Sequence, residues 1–260
     1  MKFLFRKPPV AYRDFAAAPG ERIYAIGDVH GCIDQLDDLL ARIAVDDAAR
    51  PAASTSVIFL GDLIDRGPAS ATVVERVIGL AQASDRVKLI LGNHEEIFLE
   101  AARGKASAAK SLLAIGGYAT LASYGITSEE ADHGSFEDLA ATLLQRIPRS
   151  HVDFLARGRQ SIRSGDYLFV HAGIRPGRAL DAQNVRDLRW IREPFLSAVR
   201  NDGMMVVHGH TPTRDVDIRE DRIGVDTGAY MSGTLTAIGI EGRERWFLTA
   251  SGQQANLAAE

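Results

Sequence analysis

RIYAIGDVHGCIDQLDDLLARI, residues 22–43, holds the unit from which the rest of the chain is read. The apolar run 22–26 is short and stops at Gly27, so it reads as a buried strand. Asp28 and His30 follow in a polar turn. From Cys32 onward, Ile33, Leu36, Leu39, Leu40 and Ile43 recur at helical spacing and predict a helix over 32–45. The order strand, polar turn, helix then recurs. SVIFL (56–60) leads into GDLIDRG (61–67) and a helix marked by Val73, Val74, Val77, Ile78 and Ala81. RVKLIL (86–91) leads into GNHE (92–95) and a helix through Ile97, Phe98 and Ala101. Such repetition predicts an α/β fold with a largely parallel sheet.

Downstream the character changes. Residues 105–160 are Ala-rich and helical, broken at Gly116-Gly117, with Ser135 and Asp138 spaced as a capping box and Pro148 at a helix boundary. This stretch reads as a helical insertion or cap. Strands return at 167–170 and 204–207, and 223–225, 234–240 and 246–249 read as antiparallel β. The expected organisation is an N-terminal arm (1–20), a single domain (21–250) and a short polar tail (251–260).

Composition narrows the class. Of 260 residues, 46% are apolar and 25% charged, as in ordinary globular proteins. A formal charge of -4 argues against a protein whose main work is gripping a nucleic-acid backbone. The one cysteine, Cys32, excludes an intramolecular disulfide. The apolar start is too short for a signal sequence, and no apolar run reaches the roughly 18 residues of a membrane span. A cytoplasmic location with no membrane partner is expected.

The strand ends carry the chemistry. Asp28 and His30 are two apart, so in extended backbone both reach one ion. Asp62 ends the neighbouring strand, and a carboxylate bridges cations about 3.5–4 Å apart. Asn93, His171 in VHAG (170–173) and His210 in HGHTP (208–212) add an amide oxygen and two imidazoles. The expected division is Asp28, His30 and Asp62 on one ion, and Asp62, Asn93, His171 and His210 on the other. This donor set suits two divalent metal ions, with Mn²⁺ expected first and Fe or Zn²⁺ as alternatives. Two such ions outweigh the carboxylates and leave a net positive site that accepts a phosphate dianion. Arg66 is the first phosphate-binding candidate, followed by Arg192 and Arg175, since guanidinium forks match phosphate oxygens. His94 is placed to protonate a leaving oxygen, and Asp65 to hold its far nitrogen. A single Gly-Asp pair is an ordinary turn former; five such segments, each after an apolar run, are not explained that way. His133 and His151 read as packing or surface residues, while Asp226 and Tyr230 are within possible reach of the site.

Taken together, GDVHG, GDLIDRG, GNHE, VHAG and GHTP, covering 22–212, resemble the calcineurin-like metallophosphoesterases, most closely the bacterial branch of the phosphoprotein phosphatases. VDTGAYMSGTLTAI (225–238) resembles that family's C-terminal β segment. The resemblance implies a metallophosphoesterase β-sandwich flanked by helices in α/β/β/α layers, with the dinuclear site at the sheet edge. It implies hydroxide held by the metals attacking phosphorus directly, without a phosphoenzyme. It also makes the histidine of GHT the ligand, leaving His208 behind the ligands or at the rim. Asp65 stands where symmetric diadenosine tetraphosphate hydrolases usually carry another residue. The expected function is therefore a phosphomonoesterase, a serine/threonine protein phosphatase acting on phosphorylated protein or a small phosphate ester. The alternative is a dinucleoside polyphosphate hydrolase; a third reading is a regulatory module that holds metal and a phosphorylated partner without turnover.

Overall fold

Side-chain alternation along the first strand sets the layers. In β1 (Glu21–Ile26), Ile23 and Ala25 join one buried cluster while Tyr24 and Ile26 join another on the opposite face. A strand buried on both faces needs no polar alternation, which is why its sequence reads as a continuous apolar run. The structure, a computed structural model, describes residues 14–252. The rest of the expected arm and tail, residues 1–13 and 253–260, lies outside the described residues.

After β1 come α1 (Ile33–Ala49), β2 (Ser54–Phe59), α2 (Ser70–Ala83), β3 (Val87–Leu89) and α3 (Asn93–Ala102). Five helices follow: α4 (Ala106–Ala114), α5 (Gly117–Ser123), α6 (Ser128–Asp132), α7 (Phe136–Arg146) and α8 (Arg149–Ala156). Then come β4 (Ser161–Ser164), β5 (Tyr167–Val170), α9 (Val185–Trp190), β6 (Met205–His208), β7 (Asp217–Ile218) and β8 (Arg222–Gly224). The described chain closes with α10 (Ala229–Ser232), β9 (Thr234–Glu241) and β10 (Glu244–Ser251).

The described strands form two five-stranded sheets, ordered β10-β9-β1-β2-β3 and β4-β5-β6-β8-β7. In the first, β1, β2 and β3 are parallel and the β9–β10 hairpin pairs antiparallel on β1. In the second, β5, β6 and β8 are parallel. Ile23, Ala25, Ile58 and Leu60 of the first sheet share one apolar cluster with Tyr167, Phe169, Met205 and Val207 of the second. On the outer face of the first sheet, Tyr24, Ile26 and Phe59 pack under the helices; on that of the second, Leu168, Val170 and Val206 pack with Leu188 of α9. The layers are thus helix, sheet, sheet, helix, the expected α/β/β/α sandwich. Each large apolar side chain so buried contributes about 1.5–3 kcal/mol.

Some expectations shift. Residues 223–225 were expected in antiparallel β, but β8 runs parallel to β6 and only its other neighbour, β7, is antiparallel. The loop after β6 first forms β7, so the chain re-enters the sheet in β6's own direction. The edge strands β4 and β7 escape sequence reading because SIRS and DI carry too few apolar residues to show a period. The Ser135–Asp138 capping box forms as spaced, with Ser135 Oγ accepting from the Asp138 N–H at 3.2 Å.

Phe98 of α3 is fully buried and stacks on Tyr124 with ring centroids 5.9 Å apart. Phe98→Ala is expected to cost about 3–5 kcal/mol. The check is a lower urea midpoint at unchanged denaturant slope.

Candidate metal centre

Each expected ligand sits just beyond the carboxyl end of a parallel strand, the edge where open α/β sheets bind ligands. Asp28 and His30 follow β1, Asp62 follows β2, Asn93 opens α3 after β3, His171 follows β5 and His210 follows β6. The backbone turns sharply to deliver them. His30, Asp62, Asp65, Arg66 and His210 have φ of 46°, 52°, 71°, 68° and 65°, and they are the non-glycine residues with positive φ among the described residues. Left-handed backbone costs an L-residue roughly 1–2 kcal/mol and persists only where the surroundings enforce it. Neighbouring glycines let the loops approach: a Cβ on Gly209 would lie 2.0 Å from Asp28 Oδ1, and one on Gly92 2.1 Å from Asp62 Oδ1.

Asp62 stands at the middle. Its Oδ2 is 3.4 Å from His171 Nε2, 3.7 Å from His94 Nε2 and 3.8 Å from His30 Nε2. Ligand-type atoms gather in two groups, His30/Asp62/His94 and Asp62/His171/His210, each within 4.8 Å and sharing Asp62. Asn93 Oδ1 lies 2.8 Å from both His171 Nε2 and His210 Nδ1. Asp28 is outside both groups; its two oxygens accept the His210 N–H at 3.1 and 3.0 Å.

These residues fit a pair of cations. His30 Nδ1 lies 2.7 Å from the Ile64 carbonyl and His171 Nδ1 2.8 Å from the Leu60 carbonyl. A carbonyl only accepts, so both rings carry their proton on Nδ1 and turn an Nε2 lone pair inward. At His171 that lone pair faces the inward-turned amide oxygen of Asn93, acceptor against acceptor, a contact that a cation between them makes favourable. Burial pushes the His30 and His171 imidazoles below their ordinary value, which keeps them in the neutral, ligating form. Burial, with Asp226 and Asp62 nearby, pushes Asp28 well above the usual carboxylate range. Buried carboxylates crowded this way need positive charge to remain ionised.

The comparisons with known proteins follow the same line. The family model described as calcineurin-like phosphoesterase matches residues 21–234. The chain belongs to this family. Its relatives include a symmetrical bis(5′-nucleosyl)-tetraphosphatase of Janthinobacterium sp. (strain Marseille), 32% identical over 153 residues; that match covers 59% of this chain but only 44% of the relative. An asymmetrical bis(5′-nucleosyl)-tetraphosphatase, PrpE of Anoxybacillus flavithermus, is 26% identical over 231 residues, covering 82% of this chain and 88% of the relative. Among solved structures, one provisionally described as a diadenosine tetraphosphatase superposes with a TM-score of 0.63 at 22% identity, covering 92% of this chain and 100% of that one. A serine/threonine phosphatase of Saccharomyces cerevisiae gives 0.55 at 14% identity, covering 91% and 81%. Identities this low carry the fold alone.

Beside the two ligand-type groups of this metallophosphoesterase lies a chain of polar contacts. His94 Nδ1 is 2.6 Å from Asp65 Oδ2, and the Thr120 hydroxyl donates to Asp65 Oδ1 at 2.6 Å. Burial lowers the His94 imidazole, but the Asp62 and Asp65 carboxylates outweigh it and leave it above its ordinary value. Arg66 spans two rings, with one terminal nitrogen 2.8 Å from His30 Nε2 and the other 3.1 Å from His94 Nε2. The guanidinium also lies over the Tyr230 ring at 4.8 Å. Thr120 belongs to α5, so the segment expected as a helical insertion or cap reaches the site; no motif in its sequence announced this.

The remaining expectations divide. Arg192 comes alongside, its terminal nitrogen 3.5 Å from the His210 carbonyl. Arg175, expected as a phosphate ligand, is not brought to the centre. It forks onto Asp187 at 2.8 and 2.6 Å, tying the loop before α9 to that helix. His208 belongs to neither ligand group: the left-handed turn at His210 ends the strand, so the two side chains do not share a face. It is buried, edge-on to Phe195 at 5.1 Å, rather than on the rim. Asp226 is buried against Asp28 and pushed up to about 6, chiefly by that burial.

Glu95 was passed over in sequence. Its carboxylate accepts three backbone N–H groups: Asp62 at 2.8 Å, Leu63 at 2.7 Å and Gly92 at 3.0 Å. The signal was present in GNHE, where an acid three residues after the N-cap has capping-box spacing. Glu95→Ala strands those donors, at about 1–3 kcal/mol each. A lower Tm is expected, with metal content below wild type by elemental analysis. His208→Ala, by contrast, is expected to lower stability through the cavity it leaves while metal content stays at the wild-type level.

Proposed function

We propose that this metallophosphoesterase hydrolyses dinucleoside polyphosphates, using two divalent ions with Mn²⁺ as the first choice. The observation that carries the reading is the whole-length likeness to bis(5′-nucleosyl)-tetraphosphatases. It extends over 82% of the chain in one relative and over 91%, at 25% identity, in another from Oceanobacillus iheyensis. The serine/threonine protein phosphatase reading takes second place. Asp65 favoured it in sequence, but its structural support rests on a neighbour at 14% identity.

Asp28, His30 and Asp62 would hold one ion, and Asp62, Asn93, His171 and His210 the other. When bound, the ions supply Lewis-acid charge at the phosphoryl group and activate the attacking water. The chain's own groups do the rest. Arg66, supported over Tyr230, turns its fork from the two imidazoles to the phosphoryl oxygens, and Arg192 grips from the His210 side. With Arg66 engaged there, His94 Nε2 is free to carry a proton to the leaving oxygen. Asp65, itself held by Thr120, fixes the ring through Nδ1 and favours the imidazolium.

The deciding measurement compares kcat/KM for diadenosine tetraphosphate and a phosphoserine peptide in the presence of Mn²⁺. A preference for the dinucleotide of about ten-fold or more, some 1.4 kcal/mol in barrier, is expected. A preference for the peptide would return the protein phosphatase reading to first place. Chromatography of the products, two ADP or AMP with ATP, distinguishes symmetrical from asymmetrical cleavage. His94→Asn is expected to keep the metal and lose roughly 10²-fold in kcat on alkyl phosphates. The loss on p-nitrophenyl phosphate should be smaller, because that leaving group needs little protonation. Equal losses on both would remove His94 from the proton-donor role.

A further inference from the structure

A cleft of about 560 Å³ opens between α3, α4 and α9, lined among others by Glu96, Ile97, Glu100, Ser107, Arg186 and Trp190. Asn93, Glu96, Ile97 and Glu100 follow one another at i, i+3, i+4 and i+7, so they share one face of α3, and the cleft starts one helical turn from the ligand Asn93. On the other wall, Trp190 precedes Arg192 by two residues.

The lining has a defined character. Trp190 is 37% exposed, and its indole N–H donates to Glu96 Oε2 at 2.7 Å. The other Glu96 oxygen meets Arg189 at 3.1 Å, so the carboxylate that steadies the indole is itself held. Glu100 is paired with Lys105 at 2.7 Å. Both acids are therefore engaged, whereas the Arg186 side chain makes no hydrogen bond or ion pair among the described residues. Arg186 and Trp190 are i, i+4 on α9 and lie on the same side. One steadied aromatic ring, hydroxyl groups and an unspent guanidinium, beside a phosphoryl-transfer centre, match a base with its sugar phosphate. Indole stacks on any nucleobase through its π-face, and guanidinium matches phosphate.

We propose that this cleft seats one nucleoside of the dinucleotide, with the base stacked on Trp190 and Arg186 directed to its sugar-phosphate. The proposal rests on the dinucleoside polyphosphate reading and makes Trp190 and Arg186 determinants of specificity.

The test titrates the Mn²⁺-loaded protein with AMP and with ribose 5-phosphate, which lacks the base. Calorimetry gives affinity, and quenching of tryptophan fluorescence reports the stacked ring. Wild type is expected to bind AMP roughly ten-fold more tightly than ribose 5-phosphate, in keeping with the strength of base stacking. Trp190→Leu should abolish that preference, Trp190→Phe should keep part of it, and Arg186→Ala should weaken both ligands. Equal binding of the two ligands by wild type, or a preference that survives Trp190→Leu, overturns the proposal. Quenching of Trp190 by a phosphoserine peptide but not by AMP overturns it as well and assigns the cleft to peptide. Diadenosine tetraphosphate turnover on the same samples separates the two levels. Base-dependent binding without turnover sinks the hydrolase reading and keeps the seat; turnover with no base preference keeps the hydrolase and sinks the seat.

Discussion

The carboxylate of Asp62 is the constraint on which the rest of the site depends. It faces both ligand groups at once, so its position sets the spacing of everything that converges there. The chain holds it from every side. Its N–H is taken by Glu95, its carbonyl accepts from Val29 and His30, and its Oδ1 accepts the His94 N–H at 3.1 Å. These bonds join the loop after β1, the loop after β2 and the start of α3 into one unit. The left-handed backbone at Asp62 is the local cost of that arrangement.

Burial explains the electrostatics around it. Asp28, Asp62, Asp65, Glu95 and Asp226 are all nearly inaccessible to water. Charge of one sign at that density is unfavourable without compensation, and each acid has a distinct answer. Glu95 receives backbone donors, Asp65 receives His94 and Thr120, Asp28 receives the His210 N–H, and Asp226 receives the Gly228 N–H. Asp62 faces imidazoles whose lone pairs point inward, and this is the group that divalent ions would complete. Function and stability are thus coupled: the groups that would hold metal are also those whose charges the apolar sandwich leaves unscreened.

Much of this was legible in the chain. The apolar runs stopping at Gly-Asp and Gly-Asn pairs located the parallel strands and the residues at their ends, because a doubly buried strand shows itself as an unbroken apolar run. The less legible parts have physical reasons. Ser161–Ser164 and Asp217–Ile218 are edge strands stabilised by pairing rather than by apolar content. Arg175 and Arg192 looked alike as sequence neighbours of site motifs, and only the position of Asp187 separates them. Thr120 carries no motif at all, since its role comes from where α5 packs.

Residue order alone determined the fold class, the strand-end positions of the ligand-type residues and the pairing of His94 with Asp65. These depend on local period and on side-chain chemistry, which the chain states directly. Tertiary structure decided that Glu95 is the brace of Asp62, that Arg175 belongs to Asp187, that His208 joins neither ligand group, and that a cleft lined by Trp190 opens between α3, α4 and α9. Each of these is set by which side chains meet across elements distant in sequence, and such meetings follow from how layers pack rather than from any spacing along the chain.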